Sequence, residues 1–264
     1  MTIPSIFISH GAPDIVLKDT PAREFLSELS AISGVPKAIV ICSAHYETNG
    51  TAVVTDPNPE MIYDFGGFAP ELSEMVYPAP GEPALAARVA QMLESSGIDV
   101  QTVEDRGFDH GVWTPLMLAF PGADIPIVQI SVDPARDAQY HYALGAALAP
   151  LRDENILIVG SGHITHNLRE VFAVMRGRPM TDERLSEKVD AFTDWLSEQF
   201  SAGETNAILD WKNQAPFVAE NHPTDEHLLP LFFAYGAGGE AAKSRRAHHS
   251  VEYGIFTNDS WVFD

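Results

Sequence analysis

Apolar positions along the chain follow two different periods. Short unbroken runs rich in β-branched residues occupy Ile6–Ser9, Ala38–Ser43, Ile125–Val132 and Asn155–Gly160, and read as strands buried on both faces. Between and after them the apolar positions recur at helical spacing, over Pro21–Ile32, Glu82–Ser95, Ala138–Leu148 and Thr181–Phe200. This alternation predicts an α/β fold, a mostly parallel central sheet with helices on both faces. The segment His222-Pro-Thr-Asp-Glu-His-Leu-Leu-Pro-Leu231 has the marks of a helix start: Pro223 suits the first helical position, and Asp225 with Glu226 suit the positive end of the dipole. The tail, Ser250–Asp264, reads as two short strands around the Asn258-Asp259 turn.

One stretch breaks the pattern. Thr55–Pro80 is rich in Pro and Gly and too long for an ordinary connector; ordered loops of that length tend to form lids or rims. With neither an internal repeat nor a linker, residues 1–264 read as one domain with an elaborated loop at about 55–80.

Composition narrows the function classes. A hydrophobic fraction of 45% against 20% charged residues supports a packed core. The formal net charge of -21 disfavours nucleic acid and anionic membranes, which are bound mainly through clustered Lys and Arg. The single cysteine, Cys42, excludes an internal disulfide and a Cys-based zinc site, and its apolar surroundings suit an inert buried thiol. No segment resembles a signal peptide or a membrane span, so the expected location is the cytoplasm.

The chemistry is carried by histidines at the ends of strands. IFIS runs into His10, IVICSA into His45, and ILIVGSG into His163 and His166. In an open parallel sheet the carboxyl ends of the strands share one edge, where ligands bind. Small residues before each histidine (Ser9, Ala44, Gly162) leave room for a cavity there. His110 in GFDHGVWTPL and His222 in NHPTDEH stand at similar transitions. Imidazoles gathered on one edge without cysteine suit a divalent metal of the zinc or iron(II) type. Spacing alone does not say which of His163 and His166 faces inward. His141 reads as an ordinary hydrogen-bonded residue and His227 as packing or capping within its helix. The pair His248–His249 alternates across a strand, so at most one could enter a site. Tyr63-Asp-Phe-Gly-Gly-Phe68 is either a glycine turn between packed aromatics or the wall of a pocket for a flat ring.

Six motifs occur in order: SHGAP, SAHYET, YDFGGF, FDHGVWTPL, GSGHITHNL and HPTDEHLLPL. On these the chain resembles the class III extradiol ring-cleaving dioxygenases, relatives of the protocatechuate-cleaving catalytic subunit, and is most similar to the bacterial branch like DOPA dioxygenase. The resemblance covers nearly the whole chain and implies an α/β fold around a mononuclear non-haem metal at the strand carboxyl ends. It implies iron(II), with zinc(II) an acceptable occupant, bound by His10, His45 and His222. Glu226 is the alternative third ligand, since the protocatechuate-type relatives use a glutamate there. It matches His166 to an acid/base histidine that could also serve as a fourth ligand, and His110 to a histidine that hydrogen-bonds the substrate hydroxyl or bound oxygen. The implied partners are a catechol-type substrate and O2. A homo-oligomer is compatible with the sequence, which does not assign an exposed apolar face.

Two other readings suit the same histidines. A zinc-dependent hydrolase would use them to activate water against an amide or ester. A metal- or aromatic-binding module would keep the pocket without turnover. For a substrate carboxylate, Arg106, Arg169 and the Arg245–Arg246 pair are the candidate cations, each also explicable as a surface ion-pair partner.

Overall fold

The computed structural model describes residues 2–264. Ten strands form: β1 (Ser5–Ser9), β2 (Ala38–Glu47), β3 (Thr51–Val54), β4 (Val100–Val103), β5 (Ile127–Val132), β6 (Ile156–Gly162), β7 (Ser244–His248), β8 (Val251–Glu252), β9 (Phe256–Thr257) and β10 (Ser260–Phe263). Eight of them make one sheet in the order β4-β3-β5-β2-β6-β1-β10-β7, while β8 and β9 pair as a separate hairpin. The central strands β5, β2, β6 and β1 are mutually parallel, and β10 runs antiparallel between β1 and β7.

Both faces of the central strands are buried, which is why their sequences are continuously apolar. Ile6, Ile8, Ile39, Ile41, Leu157 and Val159 point to one face. There they meet Leu26 and Leu29 from α1 (Pro21–Ser27) and α2 (Leu29–Ser33). The alternate residues Phe7, Val40, Cys42, Ile156 and Ile158 point to the other face. That face is covered in part by α3 (Pro83–Ser95). The α4 helix (His110–Ala119) joins the first layer, and α5 (Ala138–Leu148) the second. Next come α6 (Leu168–Met175) and α7 (Leu185–Ala202). Three short helical segments follow, α8 (Thr205–Leu209), α9 (Trp211–Gln214) and α10 (Val218–Asn221), leading to α11 (Leu229–Gly238). Cys42 is buried, and burial pushes its thiol pKa up.

Several sequence expectations shift at the element ends. The β2 strand runs to Glu47, so His45 lies within it rather than after it. The helix expected over Pro21–Ile32 is two helices meeting at Glu28. Pro223 does not begin a helix; residues 222–228 form a turn, and α11 begins at Leu229 with Pro230 in its first turn. In the tail, β9 and β10 do flank Asn258-Asp259 but do not pair with each other. Instead β9 pairs with β8, and β10 enters the main sheet against β1. Among the described residues, no helix is long and apolar enough to cross a membrane.

The position of α11 is set by two glycines of β6. A Cβ on Gly160 would lie 2.0 Å from the carbonyl oxygen of Pro230, and one on Gly162 would lie 2.1 Å from that of His227. Only a bare Cα lets the turn and first residues of α11 lie against the end of β6. Gly160→Ala should therefore destabilise the protein by about 1–3 kcal/mol through overpacking, read as a lower urea midpoint at unchanged m-value.

Candidate metal and substrate site

Because β1, β6 and β2 are parallel neighbours, Ser9 lies beside Gly162 and Ser161 beside Ser43. The sheet thus delivers His10 and His45 to one edge. The turn before α11 supplies the third imidazole, anchored to that edge where the backbone N–H of His163 donates to the carbonyl of His227 at 2.7 Å. His10, His45 and His227 each offer a ring nitrogen within 4.8 Å of the others. His45 Nε2 lies 3.2 Å from His10 Nε2 and 3.3 Å from His227 Nε2.

The outer nitrogens explain why the inner ones face one another. The hydroxyl proton of Ser161 goes to the Gly111 carbonyl, so His10 Nδ1–H donates to Ser161 Oγ at 3.0 Å. His227 Nδ1–H donates to Glu226 Oε1 at 2.9 Å, and His45 Nδ1 stands 3.3 Å from Asp64 Oδ2. Each Nε2 is thereby left as a lone pair aimed inward. Burial, with neighbouring imidazoles, holds His10 and His227 well below the ordinary histidine pKa and brings His45 down to about 4. All three are neutral near pH 7. Two imidazole nitrogens bound tetrahedrally at about 2.1 Å from one zinc or iron would stand roughly 3.4 Å apart, so the donor set fits such an ion.

The structure does not bring His222 to this cluster. Its Nε2–H donates to the Ile164 carbonyl at 2.7 Å, and its ring packs against Phe192 and Trp211. His222 lies in the turn five residues ahead of His227, and the close contact at Gly162 carries the later residue to the edge. Glu226, the alternative third ligand, instead holds the outer nitrogen of His227 and accepts from Thr224 Oγ1 at 3.0 Å. His166 is not one of the converging three; its ring lies on that of His227, with centroids 3.3 Å apart and planes 13° apart. Burial first, then neighbouring imidazoles, lower its pKa well below the ordinary value. His163 turns away, stacked on Phe256.

His110 begins α4, with its ring centroid 3.9 Å from that of His45. Asp64 Oδ1 accepts from both its backbone N–H (3.1 Å) and its Nδ1–H (2.9 Å). Asp64 therefore steadies His110 through one oxygen and stands beside His45 through the other. Burial raises its pKa, but the hydrogen bond and charge of His110, with His45, outweigh that and bring it to about 2. Sequence reasoning missed this role for Asp64; the only signal was its place in YDFGGF, between residues considered as a pocket wall. Behind the site Asp109, fully buried, accepts from Ser43 Oγ at 2.7 Å, from Arg106 at 3.0 Å and from Gln129. This ties the start of α4 to the end of β2.

A cavity of about 230 Å³ opens over the imidazoles. His10, His45, His110, His166 and His227 form its floor, and Phe65, Gly66 and Phe68 of the long loop form one wall. None of the candidate arginines lines it. Arg106 serves Asp109 and the His45 carbonyl, Arg246 pairs with Asp259, and Arg169 is exposed beside Glu170. Nor do His248 and His249 enter: the first stacks on Phe25 and the second pairs with Asp259.

Residues 6–263 match the family model described as the catalytic LigB subunit of aromatic ring-opening dioxygenase. The chain belongs to the LigB family. It is 41% identical over 264 residues to a 4,5-DOPA dioxygenase extradiol of Beta vulgaris, covering 98% of this chain and 96% of that one. It is 38% identical over 236 residues to a protein of the same name from Escherichia coli K12, covering 89% and 85%. The crystal structure of an uncharacterized protein from Escherichia coli K12 superposes with a TM-score of 0.79 at 30% identity, over 99% of this chain and 100% of that one. As a LigB-family member the protein is a metal-dependent extradiol dioxygenase that opens an aromatic ring with O2, which decides against the hydrolase and the non-catalytic binding module.

The buried, neutral histidines of this LigB-family fold imply acid sensitivity. Burial lowers the pKa of His222 to about 4, whereas in the unfolded chain it returns to roughly 6.5. Between these values the unfolded state binds more protons, so stability is full above the unfolded pKa and falls as pH drops toward 4. His222→Gln, which keeps a donor for the Ile164 carbonyl, should remove about 3 kcal/mol of the difference in unfolding free energy between pH 7 and pH 4. Urea titrations at the two pH values measure it.

Proposed function

We propose that the protein cleaves the ring of a catechol, DOPA-like in its dihydroxyphenyl group, at an iron(II) held by His10, His45 and His227. The observation that carries the ligand assignment is the set of inward-facing Nε2 atoms whose outer nitrogens are each placed against a polar side chain. Such outer contacts orient metal-binding imidazoles and raise their basicity. With three neutral donors and no carboxylate, the set accepts zinc(II) as well, so metal identity is a question for reconstitution. When bound, the ion lowers the pKa of catechol hydroxyls and couples the electron-rich ring to O2. Both oxygen atoms end in the product, so no outside reductant is required.

The chain's own residues do the rest. His166, kept neutral by burial, accepts a proton from a catechol hydroxyl at Nε2, its Nδ1 being the nitrogen nearer Glu226, 3.8 Å away. His110 commits Nδ1 to Asp64, which leaves Nε2 to meet a substrate oxygen above the cluster. Phe65 and Phe68 flank the ring and keep water from it.

Aerobic assay of the iron(II)-reconstituted protein with catechol should show oxygen uptake and a yellow ring-opened product; no uptake from a fully loaded protein overturns the reading. Metal analysis should show His227→Ala losing its ion and His222→Gln retaining it. The His166→Ala variant should retain metal but lose roughly 10²–10⁴-fold in kcat. Asp64→Asn should weaken metal affinity or activity about 10–100-fold, measured by competition with a chelator and by initial rates.

A further inference from the structure

The ring-cleavage reading leaves open what the catechol carries beyond its ring. We infer that the site selects catechols bearing an uncharged, apolar substituent over those bearing a carboxylate or an amino-acid tail. This rests on the reading proposed above.

The wall facing away from the imidazoles is hydrocarbon. Leu168, Val171, Phe172 and Met175 recur at helical spacing along one side of α6, and all four line the cavity. Pro13 after β1 and Tyr253 of the β8–β9 hairpin continue the apolar surface. Phe172 and Met175 remain 39% and 46% exposed, an unusual state for large apolar side chains grouped on one rim. An apolar substituent leaving the ring toward α6 would cover them.

No lysine or arginine lines the cavity among the described residues. Two nearby cations, Lys18 and Arg106, are engaged elsewhere. Lys18 Nζ, behind Tyr253, pairs with Asp14 at 2.8 Å and lies 3.9 Å from Glu252. Arg106 is held by Asp109, and Arg176 lies 5.7 Å from the ring centre of Phe172 but outside the lining. Asp64, the acidic residue in the lining, already accepts from His110 and stands beside His45, so its charge is committed first to the imidazoles. Glu226 stands against His227, and the formal net charge of -21 further disfavours an anionic tail. Within this lining a carboxylate would lose hydration without gaining a cationic partner, and an ammonium group would have to compete with the imidazoles for Asp64. DOPA would then be cleaved through its shared ring, with its tail contributing nothing to selection.

The test compares the iron(II)-loaded protein on catechol, 4-methyl-, 4-ethyl- and 4-propylcatechol, 3-(3,4-dihydroxyphenyl)propionate and DOPA. The expected kcat/KM rises roughly threefold to fourfold per methylene along the alkyl series. It should fall at least about tenfold from 4-propylcatechol to the propionate and to DOPA. Calorimetric titration of the metal-free protein with the same compounds should give the same order of affinity. In Met175→Lys, which puts a cation on the rim, the propionate-to-propylcatechol ratio of kcat/KM should rise about tenfold. If catechol is cleaved but the propionate or DOPA equals or exceeds 4-propylcatechol, the inference fails and ring cleavage stands. If Arg176→Gln abolishes such a preference, the rim arginine is the recognition element instead. If catechol itself is not cleaved by loaded protein, the ring-cleavage reading fails and takes the inference with it.

Discussion

Three imidazole lone pairs aimed at one point repel one another, and burial denies them the protons that would relieve it. A cation between them turns that repulsion into coordination. The surrounding structure can be understood as what keeps the rings from turning away. Ser161, Asp64 and Glu226 fix the outer nitrogens, and the register of three parallel strands fixes the backbones of His10 and His45. Such a cluster is stable only on a rigid frame, which explains why its second layer is so heavily hydrogen-bonded.

The Asp109 network shows the same principle one layer out. A fully buried carboxylate is tolerable because Ser43, Arg106 and Gln129 all donate to it. Its effect is to lock the first turn of α4 against the last residues of β2, so that His110 and His45 keep their spacing. Arg106, one of the arginines that sequence alone offers as a substrate anchor, is thus a structural brace.

The fold and two of the three clustered imidazoles are legible in the sequence because strand ends are local features. A β-branched run ending in a small residue and a histidine is visible without knowing its neighbours, and His10 and His45 are found that way. His227 is not legible in that manner. Its place depends on the missing side chain of Gly162, on a strand 65 positions earlier, and HPTDEH offers two histidines with similar local context. The family resemblance points to this segment for the third ligand and His222 is the residue taken from it; in the structure α11 starts only at Leu229 and His222 turns into the core. Asp64 is harder still, since a carboxylate in a glycine-rich loop carries no sign of which histidines it will meet.

The two walls of the cavity differ in how freely they can diverge. The loop wall carries Asp64 between its aromatics, so reshaping Phe65 or Phe68 disturbs the residue that steadies both His45 and His110. The α6 wall has no such duty: Val171, Phe172 and Met175 hold no part of the imidazole cluster. Related enzymes on this scaffold would accordingly retain the loop and vary the helix, acquiring new aromatic diets by exchanging a few side chains along a single turn-and-a-half of backbone.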